Sequence, residues 1–404
     1  MNVGAGTPIL LFGAFDRHNL GDLLFPHIAA ALLPGRELIH AGLAERDLRR
    51  FGGHRVASLA RLAAAWGNRP VELVHVGGEL LTCTAWQAAV MLQSPDEAQA
   101  IIARLEAHPD EQRDWVRRTL GLAARAPYTA ASHTLFPAAT RVAFNAVGGV
   151  ALADADPALK AEVLARLRAA DAVGVRDRQT RATLQGAGID ARLMPDPAVM
   201  VAELFGARIR RRARQGEVAQ IRRAFPQGYV AVQFSAEFGD DATLAVIATQ
   251  LDRVATSTGL GIALFRAGAA PWHDDASCFE RVMSPMRPNA VTFCTSLNLW
   301  DLCALIAGSR ACASSSLHGR IVATAFARPR VNLRVPHQNA GQTSKHEAWA
   351  ATWEAPGLPT VVDVEGLAEG VRQALDANPD TLRQTAGDLA ARYREAFRWI
   401  SGPA

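Results

Sequence analysis

The chain has 404 residues, too many for one ordinary hydrophobic core, so two domains are expected. Hydrophobic residues make up 49% and charged residues 20%, a balance that excludes intrinsic disorder and fits a globular enzyme. The net charge of +4 rests on 41 arginines and two lysines, Lys160 and Lys345; that bias reads as codon composition rather than as a nucleic-acid-binding surface, and leaves an acidic small-molecule or glycan partner open.

Pro8 to Phe12 is a short apolar run closed by Gly13 and predicts a buried first strand. Asn19-Leu20-Gly21-Asp22 forms a polar turn before the helical periodicity of Leu23 to Leu33. Asn19 and Asp22 can cap that helix, and Gly21 permits close backbone approach, which serves a helix start or a ligand equally well. Val71 to Val76 predicts a second strand, ending in Gly77-Gly78-Glu79. Two glycines at a strand end mark a close approach by a helix or by a phosphate-bearing ligand, although the full Gly-x-Gly-x-x-Gly fingerprint is missing.

Residues 84–140 read as a helical insertion, in which Trp86 and Trp115 belong either to the core or to an acceptor groove. Arg141 to Val147 predicts a strand closed by Gly148-Gly149. Asp154-Ala155-Asp156 has the look of a metal-binding Asp-x-Asp, but it precedes Pro157 and a helix, so N-capping explains it more simply. Val173 to Val175 is a short strand with Arg176-Asp177 at its end. The rigid guanidinium fork there suits a carboxylate or phosphate ligand, or else an ion pair with Asp177 or Asp196. A helix from Gln179 to Gln185 and a strand from Ala191 to Met194 follow, closed by Pro195-Asp196-Pro197.

Residues 206–227, a basic run containing GARIRRRARQGEVAQIRR, are expected to connect the domains. A solvated face is the first reading, and peripheral contact with an anionic membrane surface the second. From Gly228 the pattern restarts, with strands at Tyr229 to Phe234, Gly261 to Phe265 and Val291 to Cys294. Helices are expected around 242–256 and 298–307, and His273-Asp274-Asp275 falls in the turn after the second of those strands. The stretch ACASSSLHGRIVATAFARPRV, residues 311–331, reads as strand end, polar turn and helix. It sets Ser314, Ser315, Ser316 and His318 at the carboxyl edge of a strand and the amino end of a helix, where unpaired N–H groups and the helix dipole favour an anion. His318 either caps that helix or carries chemistry. A strand at Pro329 to Arg334 and helices at 365–375 and 379–400 complete the chain.

Strand-helix alternation in both halves argues for an α/β protein with two parallel sheets. The expected division is residues 1–205, the connection 206–227, residues 228–378, and a C-terminal helix, 379–404, crossing back. Five cysteines without Cys-x-x-Cys spacing suggest neither a disulfide framework nor a zinc site, and favour a reducing cytoplasm. The amino terminus lacks a basic n-region, and no apolar run approaches the ~18 residues of a membrane span.

Taken in order, Asn19-Leu20-Gly21-Asp22, Val175-Arg176-Asp177 with Pro195-Asp196-Pro197, and Ser316-Leu317-His318-Gly319 resemble the polysaccharide pyruvyltransferase family. Gly77-Gly78, His273 with Asp275, and Lys345 fall where that family tends to have comparable residues. The resemblance implies two Rossmann-like domains facing a cleft, a glycosyltransferase B-like fold. It further implies transfer of pyruvate from phosphoenolpyruvate onto a saccharide or lipid-linked glycan precursor, usually as a ketal. Phosphoenolpyruvate is then the donor substrate, with no metal and no other cofactor required.

Carried over, the resemblance makes Arg176 and His318 donor contacts. Histidine is also the side chain suited to moving a proton near neutral pH, so His318 is assigned as general acid/base. Arg176 and Lys345 are expected to clamp the donor anion, helped by the backbone from Ser315 to Gly319. Many members carry an arginine where Ser316 stands, and Arg320, Arg334 or Lys345 is expected to substitute. Asn19, Asp22 and Glu79 would orient or deprotonate the acceptor hydroxyl, and Gly21, Gly77, Gly78 and His273 complete the expected binding surface. A sugar-nucleotide glycosyltransferase of the same fold and a non-catalytic saccharide-binding relative are the alternatives.

Overall fold

Ile9–Phe12 is buried at all four positions, which is what a strand covered on both faces requires of its side chains. It is β1, at the centre of the first of two sheets in the computed structural model, which describes residues 7–336 and 343–402. With β2 (Leu38–Gly42), β3 (Arg46–Asp47), β4 (Arg55–Ser58), β5 (Val71–His75), β6 (Ala139–Val147), β7 (Ala172–Val175) and β8 (Arg192–Leu193) it forms the order β3-β4-β2-β1-β5-β6-β7-β8. Every pairing is parallel except β3 with β4. Ile9 lies opposite Leu38 on one side and Glu72 on the other, so the chain leaves β1 in one direction and returns for β5 in the other. The β1/β5 boundary is therefore the switch point of this sheet, where a crevice opens at the carboxyl ends of the strands.

The second sheet repeats the device. β9 (Tyr229–Gln233), β10 (Gly261–Phe265), β11 (Val291–Cys294), β12 (Ala311–Ser314), β13 (Arg330–Leu333) and β14 (Val361–Val362) run in the order β11-β10-β9-β12-β13-β14, all parallel. Its switch point is β9/β12, where Ala311 pairs with Val230 and Ser314 with Gln233. Val230, Val232, Ile262, Leu264, Ala313 and Val331 form the centre of its core, as Leu10, Phe12, Leu73, Phe144 and Val173 do in the first.

Two units emerge, residues 1–197 with 392–404, and residues 198–391. Residues 206–227 are not a connection: Val201–Arg212 and Gly216–Ala224 are helices of the second unit, and the division falls at Pro197/Ala198 instead. The basic run concealed an apolar stripe in which Val201, Gly206, Ile209, Val218 and Ile221 are buried. Inside 84–140, helices Ala85–Met91 and Pro109–Leu120 send Ala88, Ala89, Val116 and Leu120 into the same core as β1 and β5, so this segment is integral to the first unit. The final helix, Pro379–Ser401, contributes its last turns to the first unit, where the Tyr393 hydroxyl meets Asn145 at 2.9 Å and Arg141 donates to the Ile400 carbonyl. Among the described residues no helix is long and apolar enough to cross a membrane.

Candidate functional site

At the β1/β5 switch point of the first unit, the loop after β1 carries Asp16, Arg17, His18 and Asn19 into helix Leu20–Leu32. Asn19 caps that helix, its Oδ1 accepting from the N–H groups of Gly21 (3.1 Å) and Asp22 (3.4 Å). Asp22 lies 3.8 Å from the Arg17 guanidinium. Arg17 also donates to the Tyr128 hydroxyl at 2.6 Å, and Tyr128 donates in turn to buried Asp16 at 3.0 Å. Burial pushes the Asp16 carboxyl up despite the neighbouring Arg17 charge and the Leu43 and Ala44 N–H groups it accepts from.

Across the switch point, Gly77 (φ +123°) and Gly78 (φ +104°) adopt backbone conformations that side-chain-bearing residues rarely take. They turn the chain so that Glu79 meets Arg176, which stands at the carboxyl end of β7. Arg176 is 2% exposed and donates to Glu79 Oε2 at 2.6 Å and to Asp196 Oδ2 at 3.1 Å. A Cβ at Gly148 would fall 2.5 Å from Glu79 Oε2 and 2.7 Å from the Arg176 guanidinium, so glycine there makes room for the pair. Asp177 is diverted to capping helix Arg178–Gly186, accepting from the Thr180 N–H at 2.7 Å. Asp156 likewise caps helix Pro157–Arg168, which bears out the capping reading of the Asp-x-Asp run. Among the described residues no group of three His, Cys, Asp or Glu side chains is placed to hold a metal ion.

In the second unit the β9/β12 switch point is bound together by one buried amide. Gln233, the last residue of β9, accepts from Ser314 Oγ (2.6 Å) and the Ser316 N–H (3.0 Å), and donates to Asp274 Oδ1 (2.7 Å). Its carbonyl also accepts from the Ser315 N–H, and Ser315 Oγ accepts from the Ser235 N–H at 2.9 Å. From the other side Asn332 of β13 donates to the Ser314 carbonyl at 2.5 Å. The turn is thus held rigidly at the start of helix Leu317–Ala325, which Ser316 caps. His318 is the second residue of that helix, 9% exposed. Gly319 is needed because a Cβ there would lie 2.4 Å from Ser314 Oγ. Asp274 also accepts from the Ala267 and Gly268 N–H groups, yet desolvation pushes its carboxyl up to about 7, with Gln233 and the Arg266 charge acting the other way. His273 packs where Gly268 lacks a Cβ, and its carbonyl accepts from the Ala236 N–H at 2.8 Å.

The structure therefore gathers Asn19, Gly21, Asp22, Gly77, Gly78, Glu79 and Arg176 at one switch point, and Ser315, Ser316, His318 and His273 at the other. Arg320 is not among them. Its side chain is buried and donates to Glu354, to Asn332 and to the carbonyls of Pro359 and Thr360, with Arg330 on the same carboxylate. Burial alone would raise the Glu354 pKa, but the Arg330 and Arg320 charges hold it below the ordinary range. The Arg320 guanidinium is therefore taken up by Glu354, Asn332 and backbone carbonyls rather than turned to the Ser314–Gly319 turn. Arg334 pairs with Glu347 and Asp363. Lys345 opens helix Lys345–Trp353 and is exposed. Gln233 and Asn332 organise the turn without having been singled out in the sequence, their signal being position at strand ends, and Asp274 joins them from the His273-Asp274-Asp275 turn.

Residues 140–336, just under half of the chain, match the family model described as polysaccharide pyruvyl transferase. The resemblance read from the sequence is borne out over that segment, which supports polysaccharide pyruvyl transfer as the reaction class. No curated protein matches the chain. In fold the chain is similar to UDP-GlcNAc 2-epimerase from Neisseria meningitidis, solved bound to UDP-GlcNAc (TM-score 0.55, 11% identity, 98% of this chain and 99% of that one). It is also similar to the UDP-N-acetylglucosamine 2-epimerase from Rickettsia bellii (TM-score 0.56, 10% identity, 98% and 96%). The UDP-GlcNAc 2-epimerase from Methanocaldococcus jannaschii gives a TM-score of 0.57 at 10% identity, over 98% and 100% of the two chains. These likenesses bear out the expected class of two parallel-sheet α/β domains, glycosyltransferase B-like.

Proposed function

We propose that this protein transfers the pyruvyl group of phosphoenolpyruvate to two hydroxyls of a saccharide or lipid-linked glycan precursor, forming a ketal. The observation that carries the reading is the Ser314–Gly319 turn, braced by Gln233 and Asn332 at a sheet switch point and lying inside the segment that matches the pyruvyl transferase model. A histidine beginning a helix at such an edge has the surroundings an anionic donor needs: backbone N–H groups, a favourable dipole and a proton carrier.

In this scheme His318, protonated, gives its proton to the methylene carbon of the enol. One acceptor hydroxyl adds to the adjacent carbon as positive charge develops there. The second hydroxyl then attacks the same carbon as its bond to the phosphate oxygen breaks. Of the two hydroxyl protons released, one restores His318 and the other leaves with inorganic phosphate, so the proton balance closes. Lys345, at the start of its helix, and Arg266, directly after β10, both in the second unit, are the cations assigned to the donor's carboxylate and phosphate. Asp22 and Glu79 are assigned to orienting or deprotonating the acceptor. Arg176 is reassigned from donor clamp to positioning residue, because two carboxylates already occupy its guanidinium.

The test is incubation with phosphoenolpyruvate and candidate acceptors, with detection of phosphate and mass analysis of the acceptor. Acceptor-dependent phosphate release and a product heavier by one pyruvyl group are expected, and both should vanish in His318→Ala. Turnover of a sugar nucleotide without phosphoenolpyruvate would replace the reading with glycosyl transfer. Saccharide binding with neither activity would leave a non-catalytic binding protein.

A further inference from the structure

A cavity of about 440 Å³ opens in the first unit among helices Ala85–Met91, Pro109–Leu120 and Pro157–Arg168, beginning at Thr84, five residues beyond Glu79. That volume is in the range of pockets that hold small ligands. Val116, Leu122 and Leu159 line its apolar part, and the half-buried indole of Trp86 forms a wall, held edge-on by Trp115 at a centroid separation of 5.6 Å. The walls are fixed: the Ala85 N–H donates to the Arg125 carbonyl at 2.8 Å, and Glu162 accepts from the Arg125 and Ala126 N–H groups.

The charges around this cavity do not cancel. Arg113 is paired with Asp110, Glu162 is paired with Arg166, and Asp156 faces the first N–H groups of the helix it caps. What is left at the rim is the pair of exposed guanidinium groups of Arg117 and Arg125 against the single carboxylate of Asp156, an excess of positive charge. An aromatic face suits the apolar side of a pyranose ring, and guanidinium forks suit carboxylates. Its indole and guanidinium groups all come from residues outside the 140–336 match.

We infer that this pocket is a subsite for an acidic oligosaccharide, holding a carboxylate-bearing stretch of the glycan away from the reacting hydroxyls. The inference deepens the acceptor side of the proposed function and rests on it. A glycan that has received pyruvate ketals carries carboxylates of its own, so the subsite would favour chains already modified over unmodified ones.

The experiment is an indole-fluorescence titration of the full chain with tetragalacturonate, an acidic tetrasaccharide, against the neutral maltotetraose. Saturable change is expected with the acidic probe alone. It should lose its main component in Trp86→Phe, and Kd should rise about tenfold in the Arg117→Gln/Arg125→Gln double variant, a factor equivalent to about 1.4 kcal/mol. Absence of saturable binding, equal binding of the neutral probe, or an unchanged Kd in the double variant overturns the inference. Phosphoenolpyruvate-dependent transfer is measured on the same preparations. Binding without transfer removes the pyruvyl reading and leaves the subsite; transfer without binding removes the subsite alone.

Discussion

Replacing Gln233 by leucine tests whether one amide holds the His318 turn. The side chain is 2% exposed and makes three hydrogen bonds, from Ser314 Oγ, from the Ser316 N–H and to Asp274. Leucine is similar in size but leaves all three partners without the amide. A buried neutral group losing its partner costs about 1–3 kcal/mol, and one bonded to a carboxyl costs more. Ser316 N–H retains Ser314 Oγ at 2.9 Å and Asp274 retains two backbone N–H groups, which puts the sum near the lower end, at about 4 kcal/mol. Against the roughly 5–15 kcal/mol of a typical domain this is a severe loss. Urea unfolding of wild type and variant measures it, with activity read on the fraction that stays folded. Phosphoenolpyruvate KM is expected to rise because the turn no longer has a fixed position. A destabilisation below about 1 kcal/mol would refute the reasoning, since the amide would then be one redundant brace among several.

Gly148→Ala is expected to separate Glu79 from Arg176, since its methyl would sit within 2.7 Å of both; acceptor-dependent turnover should fall at least about tenfold, with Gly149→Ala, which meets only Leu81, as a packing control. Glu354→Gln should cost about 3–5 kcal/mol in a urea titration, because it leaves the Arg320 and Arg330 guanidinium groups buried without their counter-charge. His75, fully buried and stacked on Phe144 at 3.8 Å, has its pKa lowered to about 3 by burial. Between the ordinary histidine value of 6.5 and about 3 the unfolded chain binds a proton that the folded chain refuses, so this residue makes stability fall as pH falls. The stability difference between His75→Phe and wild type should therefore shift towards the variant by about 1.4 kcal/mol per pH unit below that value, and a constant difference from pH 7 to pH 5 would contradict it.

The fold was legible wherever apolar runs were bounded by turn residues. Val71 to Val76, Gly261 to Phe265 and Val291 to Cys294 appear as strands within a residue of their expected limits, because buried parallel strands need continuous apolar sequence. The edge strand β3 and its neighbour β4 were not legible, since Arg46, Asp47 and Arg55 are exposed and Val56 is the one buried residue of the two strands. The basic run at 206–227 failed for a related reason. Its charges hid a sparse set of buried positions, among them Ile209, Val218 and Ile221, and only packing reveals that these define two helices.

The candidate site shows where reading from sequence stops. A glycine pair after a strand, an asparagine before a helix and a histidine just past a strand all marked sheet edges correctly, because each residue type has a local backbone reason to be there. The arginines had no such reason. Arg176 and Arg320 both follow strand ends at short spacing, and both were expected to meet the donor. Whether a guanidinium faces ligand or carboxylate depends on residues far away in the chain: Glu79 and Asp196 for the first, Glu354 for the second. A buried cation must be neutralised, and Glu79 with Asp196 neutralises the first of these arginines as Glu354 neutralises the second. On the proposed reading the donor's charge falls to cations outside these buried pairs, Arg266 and Lys345, the latter exposed at the start of its helix.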